Sequence, residues 1–293
     1  MKKLMFKLGL LAAFVGLSSF LYVTNEAVPE QKSLLWKIEG NGLKAPSYLF
    51  GTMHLIEKEY FYFPKKLQKY ITKSDVIVME IADLNQAEAM KYFMLKEGTL
   101  FDYFNEEQKD SLLTWVKDNA GMDEDMFRAT FEKMKPFVVL QTVTQLQFIG
   151  KTESYEKSIA DIASEKNIKT LGLETIADQM GIFDDLTKEQ QTEMVMEGIR
   201  SGSNSNDEMT VMQQLYRKQY VDSLYAYISS KESVLMDGDA FLKNRNHNWI
   251  PKIKDIIKDQ IAFIAVGAGH LGGQEGVIEL LKKEGYTVTP VKF

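Results

Sequence analysis

The chain has 293 residues, of which 45% are hydrophobic and 26% are charged, and its formal net charge is −6. This composition is typical of a folded globular protein with enough apolar residues for a sizeable core. The net acidic charge argues against a nucleic-acid-binding surface, because attraction to phosphates requires a basic face. Since there is no cysteine, disulfides, thiolate nucleophiles and thiolate metal sites are excluded.

Residues 1–27 have the pattern of a targeting segment. Three lysines within the first seven residues precede Leu8–Val23, a run of 16 residues without a charge. A run of this length lies between the core of a signal peptide and a minimal membrane-spanning helix. Gly16-Leu17-Ser18 is a poor cleavage site, so an uncleaved N-terminal membrane anchor is the alternative to a signal peptide. In either case we expect an exported protein, periplasmic or in the cell envelope, with residues 28–293 as a single domain.

The predicted strands lie mainly towards the two ends of the chain. Short apolar or β-branched runs bounded by turn residues are typical of strands. Such runs occur at Ser33–Glu39, Ser47–Phe50, Asp75–Ile81, Ile168–Leu173, Ile261–Val266 and Tyr286–Val291. The turn residues Gly40-Asn41-Gly42 between the first two runs predict a hairpin.

Helical patterns fill the space between these strands. Pro64 suits the start of a helix, and Asn105 followed by two glutamates is a good helix start as well. Further helical patterns cover Asp123–Met134, Pro136–Phe148, Tyr155–Lys166, nearly all of 186–258, and Gly272–Glu284. The order of elements predicts a mixed α/β (α+β) fold, with a central mixed sheet built from N- and C-terminal strands and a helix-rich middle.

Two of the three histidines in the chain end similar short segments. His54 closes Gly51-Thr52-Met53-His54, and His270 closes Gly267-Ala268-Gly269-His270. Each Gly-x-x-His segment follows a predicted strand, and we expect Gly51 and Gly267 to let the backbone leave the sheet sharply. Ligands bind at the carboxyl ends of strands in open α/β sheets. The pattern therefore predicts that both histidines lie in one site.

Two glutamates occupy comparable places. Glu80 follows the apolar run Val76–Met79, and Glu174 follows Leu171-Gly172-Leu173. A carboxylate at the inner end of an apolar strand is costly unless it is paired or binds a metal. Two imidazoles with one or two carboxylates are a suitable ligand set for zinc, manganese or iron, and a remaining carboxylate can serve as general base.

Each of these residues also has a purely structural interpretation. A histidine at a strand end is often a hydrogen-bonding residue, and a strand-terminal glutamate often faces solvent. Arg245, one of four arginines, can face an oxyanion or form a salt bridge on a helix surface. We interpret His247, on the same helix, as structural. No His-Glu-x-x-His helix, phosphate loop, dinucleotide fingerprint or Gly-x-Ser-x-Gly elbow occurs in the sequence.

The motifs together resemble the TraB/GumN family, which is related to the Tiki proteases and more distantly to erythromycin esterase and the haem-binding ChaN proteins. The resemblance rests on segments spread over most of the chain beyond the leader. They are Ser47–His54, Val78–Glu80, Gly172–Thr175 with Gln179, Arg245-Asn246, Val266–Gly273 with Gly276-Val277, and Gly285–Val288.

The resemblance implies a paired Gly-x-x-His site, a divalent metal (manganese, cobalt or zinc) and hydrolysis of a peptide or related bond. We expect His54, His270 and Glu80 to bind the metal. Glu174 would be the general base or a fourth ligand, and Arg245 would stabilise charge on the scissile carbonyl. The alternative hypothesis is a non-catalytic protein that binds a peptide signal or haem through the same histidines. A third is a structural envelope protein with a relic site.

Overall fold

The structure, a computed structural model, describes residues 32–82, 86–146, 148–201, 205–230 and 239–293. The targeting segment predicted at residues 1–27 lies outside these ranges. Within them, no helix is both long enough and apolar enough to cross a membrane.

A six-stranded mixed sheet organises the fold. The strands are β1 (Leu35–Glu39), β2 (Ser47–Thr52), β4 (Val76–Met79), β6 (Lys169–Gly172), β7 (Ala262–Gly267) and β8 (Thr287–Pro290), and their order is β6-β4-β7-β2-β1-β8. Strands β6, β4, β7 and β2 are parallel, whereas β1 is antiparallel to both β2 and β8. A separate antiparallel pair joins β3 (Ile56–Glu57) to β5 (Thr152–Glu153).

The helices lie mostly between β4 and β7 in the chain, as the sequence predicts. They are α1 (Lys65–Thr72), α2 (Gln86–Phe93), α3 (Glu106–Ala120), α4 (Glu124–Phe131), α5 (Pro136–Leu146), α6 (Tyr155–Lys166), α7 (Ile176–Asp184), α8 (Lys188–Ser201), α9 (Ser205–Arg217), α10 (Val221–Ser230), α11 (Asn244–Asp259) and α12 (Val277–Lys283). The mixed α/β class, the β1–β2 hairpin and the meeting of the two chain ends in one sheet are all confirmed.

The described residues form two main apolar cores. The larger one contains the central strands β4 and β7, whose residues are buried on both faces, as parallel strands covered by helices are expected to be. Helices α1, α6, α10, α11 and α12 contribute side chains to this core. A second core joins α3, α4, α5 and α8 around Phe127. Because α5 also reaches the end of the parallel strands, this helical layer forms one wall of the site described below.

Local sequence determines where several elements begin. Asn105 accepts a hydrogen bond from the Gln108 amide, and Gln108 in turn accepts one from Asn105, so a capping box starts α3. Helix α12 begins at Val277, five residues later than the pattern Gly272–Glu284 predicts. The prediction of its start was wrong because Gly272 and Gly276 form a tight turn that packs against backbone.

The close packing of Gly272 gives a stability prediction. A Cβ atom there would lie 2.3 Å from the Val221 carbonyl oxygen, a distance that backbone movement alone can relieve. We expect Gly272→Ala to lower the free energy of unfolding by about 1–3 kcal/mol, the cost of overpacking.

Gly181→Ala is the matched control, because a Cβ at Gly181 in α7 meets nothing within 4 Å. Removing a helical glycine should raise the stability by roughly 0.5–1 kcal/mol. Denaturant midpoints of the two variants should therefore move in opposite directions, and equal shifts would contradict the packing argument.

Candidate active site

Four parallel strands deliver the four predicted strand-end residues to one edge of the sheet. Glu174 follows β6, Glu80 follows β4, His270 follows β7 and His54 follows β2. Because these strands are consecutive neighbours in the sheet, the four residues follow one another along its carboxyl edge. Neighbouring strands lie about 4.8 Å apart, which places each side chain within reach of the next.

The Arg245 guanidinium, from the first turn of α11, links the two carboxylates. Its Nη2 lies 2.5 Å from Glu80 Oε2 and 2.5 Å from Glu174 Oε1, and its Nε donates to Glu174 Oε2 at 3.2 Å. All three residues are 8% exposed. Buried charges are tolerated only when they are paired and hydrogen-bonded, and this cluster meets both conditions. The surface salt-bridge interpretation of Arg245 is therefore wrong.

Glu174 is saturated with hydrogen bonds. Its Oε1 accepts from Arg245 and, at 2.6 Å, from Gln179 Nε2. Its Oε2 accepts from Arg245 Nε and, at 3.1 Å, from Trp249 Nε1. A carboxylate offers about four acceptor positions, so no position of Glu174 is left for a further donor.

Glu80 binds both Arg245 and the backbone of the second Gly-x-x-His segment. Its Oε1 accepts from the Gly267 amide at 2.8 Å. Burial by itself raises the pKa of the Glu80 carboxyl, but its neighbours His270, Arg245 and His54 and the hydrogen bond from the Gly267 amide together lower the pKa to about 2. Glu80 is therefore an ionised carboxylate at neutral pH.

His270 is buried, neutral and held in one tautomer. Asn246 Nδ2 donates to the Glu275 carbonyl, so Asn246 Oδ1 faces His270 Nδ1 at 2.7 Å, and this nitrogen carries the proton. The Nε2 lone pair accepts from Arg245 Nη1 at 3.1 Å and lies 3.9 Å from Glu80 Oε1. Burial lowers the pKa of His270 to about 3, so the ring is uncharged at neutral pH.

His54 stands outside this buried cluster. Its side chain is 69% exposed, and its Nδ1 lies 2.8 Å from Glu156 Oε1 at the start of α6. The contact with the Glu156 carboxylate raises the pKa of His54 to about 9, against the opposing effect of desolvation. His247, the third histidine, lies on the exposed side of α11 and pairs with Glu275 at 2.6 Å.

The two motif glycines are required for a different reason than the sequence suggested. Neither has a positive φ angle, and Gly51 lies inside β2, so the expectation that they let the chain leave the sheet sharply was wrong. A Cβ at Gly51 would lie 2.7 Å from Leu271 Cδ1, and one at Gly267 would lie 3.3 Å from Glu80 Oε1. The glycines allow the two segments and Glu80 to pack closely.

Two cavities open beside these residues and share part of their walls. One, of about 580 Å³ and here called the polar cavity for its carboxylates and amides, is lined by Glu80, Glu156, Gln179 and polar residues of α5, together with apolar side chains such as Phe137 and Leu140. The other, of about 420 Å³, is lined mainly by apolar side chains. The residues common to both are Thr52, His54, Leu55 and Thr144. His54 therefore lies where the two cavities meet.

The sequence motifs agree with a comparison to known families. The model of the TraB/PrgY/gumN family matches residues 34–290. The chain belongs to the TraB/PrgY/gumN family. The resemblance drawn from the motifs is thereby confirmed. No curated protein and no solved structure matches the chain.

Sequence reasoning did not assign a role to several residues that contact the family motifs. Glu156 is far from His54 in the chain, and its acidic position in the first turn of a helix has an ordinary explanation in the helix dipole. Trp249 resembles any core aromatic. Gln179 and Asn246 lie within the segments that carry the resemblance, so these two had a detectable signal.

The Arg245 cluster yields a prediction about stability. Removing the guanidinium leaves Glu80 and Glu174 buried beside each other without a counter-charge. We expect Arg245→Ala to lower the free energy of unfolding by about 3–5 kcal/mol, as breaking a buried ion pair generally does.

Arg200→Ala is the control, because the Arg200–Glu193 pair lies on the surface, with the arginine side chain 57% exposed. Its removal should cost about 0–1 kcal/mol. Urea unfolding of both variants measures the difference, and equal losses would show that the buried pair contributes no more than a surface one.

Proposed function

We propose that the chain is a metal-dependent hydrolase that acts outside the cytoplasm. More specifically, we propose that it is a peptidase. The observation that supports this most strongly lies in the second Gly-x-x-His segment. There the Nδ1 of His270 faces Asn246 Oδ1 at a hydrogen-bonding distance of 2.7 Å. Metal-binding histidines are typically held in this way, which leaves Nε2 for the ion.

The donor chemistry fits a divalent cation such as manganese, cobalt or zinc. His270 is neutral with its lone pair on Nε2, and Glu80 is ionised. The 3.9 Å between His270 Nε2 and Glu80 Oε1 is within about twice the usual metal–ligand distance of ~2.1 Å. When bound, such an ion would lower the pKa of a water molecule and supply hydroxide near neutral pH.

His54 would complete the ligand set only after a side-chain movement. Across the described ranges, no three imidazole or carboxylate groups are gathered as a metal site. Because the His54 side chain is exposed, it is free to turn from Glu156 towards the buried pair. With His54 turned in this way, His54, His270 and Glu80 would hold the ion, and His54 would first have to lose the proton that its contact with Glu156 favours.

Arg245 positions the buried half. Its Nη2 and Nε bind the two carboxylates, and its Nη1 donates to His270 and weakly to the Phe241 carbonyl. Binding of a ligand to His270 Nε2 would therefore break the hydrogen bond from Arg245 Nη1 and leave that N–H without a partner on the imidazole. A released N–H could stabilise negative charge on the scissile carbonyl oxygen.

We assign the proton-accepting role to Glu156 rather than Glu174. Glu174 has its acceptor positions filled, which suits an anchor for Arg245. Glu156 lines the polar cavity, and its Oε1 has no hydrogen bond of good geometry to any described residue. Once the His54 side chain turns away, this oxygen has an open lone pair beside the cavity and is suited to accept a proton from the attacking water.

Metal analysis tests the central part of this proposal. The purified full-length protein, exposed to manganese, cobalt and zinc and then desalted, should retain about one divalent ion per chain. His270→Ala and Glu80→Ala should retain none, because each removes a ligand. His247→Ala is the matched control and should keep the ion, since His247 lies on the surface beside Glu275.

Two other results would count against a metal hydrolase. Wild-type protein that takes up none of the three metals and cleaves no peptide would rule it out. A Soret shift on titration with haem, abolished by His54→Ala, would favour the haem-binding alternative. Retention of peptides without cleavage, with metal present, would favour peptide-signal binding.

The assignment of the proton acceptor has its own test. We expect Glu156→Gln to lower kcat for peptide cleavage by about 10²–10⁴-fold, the usual contribution of a general base. The stability of this variant should change little compared with that of Glu174→Gln, which disturbs the buried Arg245 cluster. Unchanged kcat in Glu156→Gln would return the role to Glu174.

A further inference from the structure

The 420 Å³ cavity, here called the apolar chamber, differs in chemistry from the polar cavity next to it. Helices α9 and α10 supply Met209, Met212, Leu224 and Ile228 to its wall, and Phe148 closes another side. Among the described residues of its lining, His54 is the one side chain that carries charge near neutral pH. The neighbouring cavity also has apolar walls, but Glu80, Glu156 and three side-chain amides lie among them.

Of the hydroxyl groups in the described lining, that of Tyr216 is already hydrogen-bonded, whereas Thr52 Oγ1 has no hydrogen bond of good geometry to any described residue. The Tyr216 hydroxyl donates to the Gly51 carbonyl at 2.8 Å, so Tyr216 presents its ring rather than a free hydroxyl. A pocket of 300–1,000 Å³ with mostly apolar walls is typical of a small-molecule or side-chain binding site. Burying an apolar group there gains free energy roughly in proportion to the area removed from water.

The chamber borders the candidate active site along the backbone of the second Gly-x-x-His segment. Gly267, Ala268 and Gly269 form its floor, and the Gly267 amide binds Glu80 on the other side. His54 and Thr52 belong to both cavities. A ligand that extends past His54 from one cavity into the other therefore has one part in the apolar chamber and the adjoining part among hydrogen-bonding groups.

We propose that the apolar chamber binds a large apolar side chain of a peptide, of the leucine, methionine or phenylalanine class. The adjoining peptide backbone would lie in the polar cavity. The inference deepens the proposed function, because it specifies which side chain would flank the bond presented to His54. The amides of a peptide backbone need hydrogen-bond partners when they are removed from water. A peptide would therefore use the polar cavity for its backbone and the apolar chamber for its side chain.

Two adjacent residues on α9 provide a matched pair of variants. Met212 lines the chamber, whereas Val211 is 39% exposed on the outer side of the helix. Met212→Trp should fill the chamber and Val211→Trp should leave it open. Met212→Ala, which enlarges the chamber, serves as a second variant should the bulky one fail to fold.

The first readout is cleavage of a peptide library by the full chain with added manganese, cobalt or zinc. Wild type and Val211→Trp should prefer a large apolar residue next to the cleaved bond. Met212→Trp should shift the ratio of kcat/KM towards alanine or glycine at that position by at least about tenfold, and Met212→Ala should shift it towards larger residues. Equal profiles in the four proteins would overturn the proposal.

The second readout does not depend on cleavage. The fluorescent probe 1-anilinonaphthalene-8-sulfonate should bind wild type and be displaced at least about tenfold better by Gly-Gly-Phe-Gly-Gly than by Gly-Gly-Ala-Gly-Gly. Met212→Trp should lose this difference and Val211→Trp should keep it. If no peptide is cleaved but the tenfold difference in displacement is found, the hydrolase proposal is wrong and the assignment of the apolar chamber as a side-chain site is supported. If both peptides displace the probe equally, the chamber assignment fails, whatever the activity.

Discussion

The Arg245 guanidinium holds the candidate site together. Its nitrogens bind Glu80, Glu174 and His270. These three residues follow three neighbouring strands of the sheet. Without this cation, two carboxylates would face each other in an environment that disfavours charge. With it, the Glu80 carboxylate stays ionised, and the neutral imidazole of His270 is fixed by hydrogen bonds on both nitrogens. One helix side chain therefore determines the charge state and the orientation of the buried half of the site.

The sheet order explains how that interaction can form. Strand β7 comes from the C-terminal part of the chain and inserts between β4 and β2, which come from the N-terminal part. Insertion places His270 beside Glu80 and brings α11, which precedes β7, over the strand ends. Pairing of β1 with β8 fixes the two ends of the chain in the same sheet. Because most of these contacts are distant in sequence, the site forms only when the whole sheet has formed.

The parts of this arrangement that the sequence predicts are those encoded locally. Apolar strand patterns followed by Glu80, Glu174, His54 and His270 locate the carboxyl edge, and the scarcity of histidine singles out the pair. Glu156 escapes such reasoning because its role depends on where α6 packs. Gly51 and Gly267 show a different limit of the sequence. Their presence predicts that a side chain would not fit there, but the reason is close packing against Leu271 and Glu80, which no local sequence pattern displays.

The site combines a rigid half with a movable one, and the difference follows from burial. Each polar group around Glu174 has its hydrogen bonds satisfied by protein, so moving any of them costs the desolvation of its partners. His54 has a mostly exposed ring and contacts Glu156, so it can rotate without disturbing the buried hydrogen bonds around Glu174. In the proposed function, a bound peptide would contact His54 where the two cavities meet. The buried half then provides a fixed frame of charge, and the exposed half can adjust to the ligand without disturbing it. Preorganised groups stabilise a transition state best when they need not reorganise, which is the property that Arg245 gives to Glu80 and His270.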